Sequence, residues 1–432
     1  NGGIPPASSG TRNFPNLPAE KAATSNNIPV DRQYPYSLTW NLGVQHSFAK
    51  SYTAEVRYVG TRGIHLNVQE RINAQSPLAA SGSSLPTFFS PPTQAQLDAL
   101  PVTLSSLRPN NPVSGQGSRY VPAYVAAGFG GTSAQFCAAQ GLPANCGGNF
   151  PFITSFRPYG SSIYHGLQTQ LNRRFSDGLQ LQMAYTWSHA IDDSTADFFS
   201  TVLSPRRMQD FQSLKQDRSS SALDRRHRFT TALLYESSWF KNGNWFAKNL
   251  LGNWLLAPIY YFESPEYATV RSGVDSNLNG DSAGDRTVFN PQGVPGTGSG
   301  VTALKNSSGE VVGYLARNPT AQYIVAGPGV RPTAGRNTLR TRPINNWDLT
   351  VGKKLAITER TAVEFQAQFF NLFNHPQFTP GRVNDISSIP LVSVTGLPVT
   401  NYLVADQPNF DHPERVFSSN PRQTQLVLKF LF

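Results

Sequence analysis

The chain has 432 residues, of which 14% are charged, 39% apolar and 11% aromatic, and it carries a formal net charge of +10. The charged fraction is well below the roughly 25% of ordinary soluble proteins. The longest apolar run, Leu255 to Phe262, is broken by Pro258 and falls far short of the ~20 residues of a spanning helix, so a helical membrane protein is excluded. Lys and Arg are scattered, densest at Asp224-Arg225-Arg226-His227-Arg228, which reads as solvated rims and not as a nucleic-acid-binding stripe.

Residues 1–34 form a Pro/Gly/Asn-rich coil, expected to be an extracellular loop that continues from barrel strands upstream, while 35–432 reads as barrel. The first hairpin sets Trp40, Leu42, Val44 and Phe48 against Asn41, Gly43, Gln45 and Ser47, turns at Ala49-Lys50-Ser51 and returns through Tyr52, Ala54, Val56 and Tyr58. Such period-two alternation marks strands whose two faces meet different media. A second hairpin runs from Tyr164 to Phe175 and, through Ser176-Asp177-Gly178, back along Leu179 to Ser188. Here Leu179, Leu181, Met183, Tyr185 and Trp187 alternate with Gln180, Gln182, Ala184, Thr186 and Ser188. Less regular strands are expected over Arg228–Ser237 and Trp254–Glu263. A third hairpin covers Asn346–Leu355 and Thr361–Phe373. From Thr424 the last strand places Leu426, Leu428, Phe430 and Phe432 on one face and ends on an aromatic residue.

About nine strands result, and their connections alternate in size. Short turns fall near 49–51, 176–178 and 357–360, with a medium one at 240–252; long segments run through 70–160, 193–224, 265–340 and 375–420. Short turns on one side and long loops on the other, with aromatics at strand ends (Trp40, Tyr52, Trp187, Trp254, Trp347, Phe373), are the arrangement of an antiparallel transmembrane β-barrel in an outer membrane. The opposite face is read as Gln, Asn, Ser, Thr and Glu with almost no aliphatic bulk. Nine strands do not close a bacterial barrel and an open edge in lipid is not tolerated, so further strands are expected upstream of residue 1.

Several segments resemble the Oar-like TonB-dependent transporters. They are Ser162-Ile-Tyr-His-Gly-Leu-Gln-Thr-Gln-Leu-Asn-Arg-Arg-Phe175, Tyr185-Thr-Trp-Ser-His-Ala-Ile-Asp-Asp-Ser194, Asp224-Arg-Arg-His-Arg-Phe229, Asn346-Trp-Asp-Leu-Thr-Val351 and the run Phe369-Phe-Asn-Leu-Phe-Asn-His-Pro-Gln-Phe378. The resemblance spans about Pro35 to Phe432. It implies that the chain is the C-terminal part of a 22-stranded barrel with an N-terminal plug, coupled to the TonB complex through the missing N-terminal region. The implied role is import of a scarce, bulky solute: an iron chelate or other small molecule, an oligosaccharide or a peptide. Outer-membrane lipid and lipopolysaccharide are the expected surroundings. An adhesive or structural surface barrel is the alternative, and a soluble β-rich glycan-binding module a more distant one.

Candidate sites are few. Asp275, Asn277, Asn279, Gly280 and Asp281 follow the 1, 3, 5 spacing with glycine at 6 that calcium loops use, but Arg286 stands where the bidentate glutamate belongs, with Asp285 one place early. A weak Ca²⁺ loop and a plain loop of Asx-turns both remain open; no other cofactor is expected. Gln168, Gln170, Gln180, Gln182, Glu364, Gln366 and Gln368 are expected to face the lumen. Loops 70–160 and 265–340 are expected to carry ligand recognition. Cys137 and Cys146 suit a small disulfide loop better than a metal pair. His189 and Asp193 read as an interfacial polar cap. Asn371, Asn374 and His375 read as backbone-satisfying groups where a strand turns into its loop, and Gly296-Thr-Gly-Ser-Gly300 as flexible loop. No nucleophile–base constellation is present, so no enzymatic activity is expected.

Overall fold

In the computed structural model, the amphiphilic segments pair in chain order. Nine long strands form one antiparallel meander: β1 (Tyr36–Phe48), β2 (Tyr52–Arg71), β3 (Thr154–Ser176), β4 (Leu179–Asp192), β5 (His227–Glu236), β6 (Trp254–Glu263), β7 (Ile344–Ala356), β8 (Ala362–Phe370) and β9 (Gln423–Leu431). The structure describes residues 26–27, 33–72, 74–108, 154–194, 207–211, 213–237, 239–240, 243–282, 284–358, 360–378, 402–417 and 419–432. Cys137 and Cys146, and most of the expected coil 1–34, lie outside them. Two-residue strands at Asn26–Asn27 and Ser219–Ser220 add to β3 and β4. Among the described residues β1 and β9 are each paired on one side only, so the sheet is open.

The register carries the alternation across the whole sheet. Leu42, Tyr58, Leu167 and Trp187 sit side by side on β1 to β4, and Pro258, Leu349 and Phe369 on β6 to β8. A one-residue slip would throw each set to the other face, so the pattern itself pins the pairing. Among the described residues no second layer covers this apolar face: Trp187, Phe365 and Leu428 are 40%, 45% and 58% exposed. A β-sandwich would bury one face of every strand, which the described residues of this sheet do not do. At the long-loop end the ring of Trp347 stacks on Tyr260 at 4.4 Å and meets Phe373 edge-on; at the short-turn end Lys353 lies 4.4 Å over Trp254. These are the two aromatic girdles expected of a membrane wall.

All short connections lie at one end. Asp177-Gly178 forms a two-residue turn with positive φ at both positions (53° and 77°), which glycine adopts without strain. Ala49 and Lys50 adopt positive φ as well (46° and 59°) with no glycine to relieve the cost. Lys50→Gly should therefore raise the unfolding free energy of the vesicle-inserted chain, read from its denaturant curve, by about 0.5–1 kcal/mol after the entropy lost in the unfolded state.

Strand ends differ from the sequence reading in instructive ways. β2 and β3 are 20 and 23 residues long, about twice the 9–11 a bilayer needs, and their outer halves stand clear of it to support the loops. The Thr361–Phe373 strand stops at Phe370 because Asn371 takes φ 51° and leaves the ladder. The connection at 240–252 contains a π-helical turn, Ala247–Leu251.

The hydrophobic core lies outside the membrane wall. Of the largest fully buried apolar side chains, Tyr323, Tyr402, Leu78, Leu85, Ile324, Leu403, Val270 and Val312 belong to the long connections, and Val68 to the outer extension of β2. The described parts of the long segments thus fold into a layer with its own small sheets: Val288–Phe289 with Ala321–Ile324 and Val294–Ser299, and Val301–Lys305 with Val311–Ala316 and Thr87–Phe88. Gly296-Thr-Gly-Ser-Gly300, expected to be flexible, is largely in the strand Val294–Ser299. A Cβ at Gly298 would come within 2.2 Å of the Ala405 carbonyl, so glycine lets two backbones approach there.

Candidate functional site

The site has two parts, the polar face of the wall and the loop layer at one end. On the polar face Gln168 and Gln170 lie opposite Thr186 and Ala184, with Asn172 opposite Gln182. Arg57 and Glu55, which the sequence reading did not single out, join them across β2 and form an ion pair. A second polar stripe runs along β8, where the Gln368 amide donates to Gln366 at 3.1 Å, Gln366 donates to Glu364, and Lys429 stands 3.9 Å from Glu364.

The two stripes are not continuous. Leu234 on β5 lies opposite Gln180, Ile259 on β6 opposite Asp348, and Leu255 opposite Gly352, so all three aliphatics share the polar face. Ile259 is 48% exposed. The expectation of a face with almost no aliphatic bulk is corrected here: β5 and β6 are the strands whose alternation was weakest, and both their faces carry apolar residues.

The loop layer is locked to the strand ends by ion pairs. Arg336 bonds the carboxylate of Asp192 at the end of β4 and donates to the Asp192 and Asp217 carbonyls, both at 2.6 Å. Arg286 and Asp217, both buried, pair at 2.8 Å. Arg225 reaches Glu263, at the end of β6, and Glu266. These arginines come from the connections; two of their acids, Asp192 and Glu263, lie at strand ends and two, Asp217 and Glu266, in the connections, so the pairs both tie the layer together and register it on the wall.

Within this layer the turn from Asp275 to Asp281 is wound tightly. Asp275 Oδ2 accepts the Gly280 N–H at 2.9 Å, Asn277 Oδ1 that of Asn279 at 3.0 Å, and Asn279 Oδ1 that of Asp281 at 2.8 Å. Asp281, expected beside them as a cation ligand, instead pairs with Arg207 and, at 3.5 Å, with Arg71. Asp285 takes the interior: its Oδ2 accepts the Ser276 N–H at 2.6 Å. Burial, then the charges of Asp275 and Asp281, push its carboxyl well above the usual carboxylate range, against the pull of bonds from Ser276 and Asn277. Among the described residues no group of three or more His, Cys, Asp and Glu is placed to hold a metal ion. Any cation here would draw on amide and backbone oxygens as well.

A cleft of about 180 Å³ opens beside this turn, lined by Ser76, Leu78, Gln209, Gln216, Asn277 and Arg331 among others. It is smaller than the roughly 300–1,000 Å³ of small-molecule sites, too small for a bulky solute. His189 and Asp193 do not form a pair: His189 Nε2 meets Ser220 Oγ at 3.1 Å, while Asp193 accepts from Ser161 and Arg218. Asn371 bridges the His375 and Asn420 carbonyls at 3.0 and 2.8 Å, and Asn374 accepts from the Arg422 N–H, the backbone-satisfying roles read from the sequence.

Residues 1–397 match the family model described as an outer membrane beta barrel domain. The chain belongs to that family. It is accordingly an outer-membrane protein, and the exposed apolar face of its sheet is the lipid-facing surface of the barrel. Solved structures similar to the barrel include the outer membrane transporter YddB from Escherichia coli (7% identity, TM-score 0.35, covering 94% of this chain and 34% of that one). A mutant form of the ferric enterobactin receptor PfeA from Pseudomonas aeruginosa is also similar (10% identity, TM-score 0.36, 92% and 31%). So is the Ferric-Catecholate import receptor Fiu from E. coli (10% identity, TM-score 0.35, 93% and 28%). The barrel spans about a third of the length of these chains, and at such scores the likeness carries no functional weight. No curated protein matches it.

Proposed function

We propose that the chain forms part of the wall and the outer loop layer of a TonB-dependent importer of the Oar-like type, with 35–432 as its C-terminal barrel portion and 1–34 as a leading outer loop. The observation that carries this reading is the folded layer of long connections, with its own core, held by the ion pairs of Arg336 and Arg225 to one end of a membrane wall. An adhesin needs display at the surface. A layer pinned to the rim beside a polar, partly apolar inner face suits capture of a solute and its passage inward. The open edges of β1 and β9 support completion by further strands, because unpaired N–H and C=O groups facing lipid each cost several kcal/mol. The two glutamine-bearing stripes, with Glu55, Arg57 and Glu364, would line that passage.

The test is uptake by cells that carry the protein in the outer membrane, given iron chelates, oligosaccharides and peptides with and without an uncoupler of the proton-motive force. Accumulation of one solute class, abolished by the uncoupler and by loss of the protein, is the expected outcome. Surface binding without energy-dependent uptake would overturn import in favour of the adhesive reading.

A further inference from the structure

The turn Asp275–Arg286 contains a buried carboxylate to which no basic side chain is paired among the described residues. Asp285 is 0% exposed; Oδ2 accepts the Ser276 N–H, the Asn277 N–H also acts on the carboxyl, and Oδ1 is enclosed without a well-formed hydrogen bond among the described residues. In its ionised form a carboxylate oxygen in that position is costly unless a counter-charge reaches it. Four arginines of the surrounding segments are engaged on other carboxylates: Arg71 and Arg207 on Asp281, Arg286 on Asp217, Arg336 on Asp192. Around the same turn the amide nitrogens of Asn277 and Asn279 point away, to the Gln209 carbonyl at 2.6 and 3.4 Å. Their oxygens therefore face the turn's own backbone, as does Asp275 Oδ2.

We propose that this turn binds one calcium ion, with Asp285 and Asp275 as carboxylate ligands and Asn277 and Asn279 as amide-oxygen ligands. Calcium takes six to eight oxygens in adaptable geometry, so backbone carbonyls and water complete the shell. Magnesium, which demands a regular octahedron and sheds water reluctantly, fits such a mixed set poorly. Only two carboxylates contribute, which places the affinity in the weak range of extracellular calcium modules, about 10⁻⁴–10⁻³ M. The ion would tie the first half of the turn to its end, and thereby the loop that carries Asn277 into the wall of the neighbouring cleft. The proposal is independent of what the barrel imports.

The full chain, purified in detergent and stripped with EGTA, is titrated with calcium chloride in a calorimeter, and its thermal unfolding is followed with and without the ion. One saturable site is expected, with magnesium at least tenfold weaker. Asp285→Asn and, separately, Asp275→Asn should lose it, while Asp177→Asn, in the hairpin at the far end, should keep it. In EGTA the Asp285→Asn chain should melt no lower than the parent, since a buried charge has been removed. In calcium only the parent and Asp177→Asn should melt higher. Absence of binding heat up to about 10 mM calcium, or binding by both Asn variants equal to the parent's, would overturn the proposal.

Discussion

Leu349→Arg is expected to lower the stability of the membrane-inserted chain by about 2–4 kcal/mol, while Thr350→Arg, its neighbour, changes it by well under 1 kcal/mol. Leu349 lies near the middle of β7, between Pro258 and Phe369 on the lipid side. A guanidinium there must enter hydrocarbon or thin the bilayer around itself. Thr350 lies between Ala257 and Gln368 on the other face, within reach of water and amide groups. Denaturant unfolding from lipid vesicles measures both. Equal losses at the two positions would mean that the two faces see the same medium, and the membrane assignment would fail with them.

Asp217→Ala should cost the loop layer about 3–5 kcal/mol, because it leaves Arg286 buried without its partner. The loss should be local. Protease should cut in the connections 207–224 and 265–340, while the nine-stranded wall still resists denaturant in vesicles. Replacing both partners together, Asp217→Leu with Arg286→Met, should recover most of the loss, since an apolar pair of similar volume avoids the desolvation of two charges. If Asp217→Ala instead unfolded the wall and layer together, the two would be one cooperative unit. The separation of a lipid-solvated wall from a water-solvated core would then be wrong.

That separation explains which parts of the protein could be read early. The strands were legible because each is solvated differently on its two faces, and a period of two in residues such as Leu179 to Trp187 reports it directly. Trp254–Glu263 was located to the residue, and His227–Glu236 to within one. The turn at Asp177-Gly178 was legible for a local reason too, since only certain residues tolerate positive φ. The outer halves of β2 and β3 were not legible. Beyond the membrane neither face has a fixed medium, so alternation fades while hydrogen bonding to the neighbour continues.

The loop region resisted reading for a different reason. Tyr323, Leu339, Tyr402 and Phe410 share one buried cluster although as many as 87 positions separate them, and no periodicity links them. In the turn at Asp275 the spacing grouped Asp281 with Asp275, Asn277 and Asn279 as cation-ligand candidates and set Asp285 aside as one place early. Arginines from remote segments, Arg71 and Arg207, draw the Asp281 carboxylate away, and Asp285 takes the interior. Residue types and alternation by themselves determined the membrane wall, its two faces and its short turns, because those depend on contact with solvent and on local backbone geometry. Tertiary structure alone decided the folded outer layer, the aliphatic gap in the polar face and the partner of each buried charge, because these depend on which distant side chains meet.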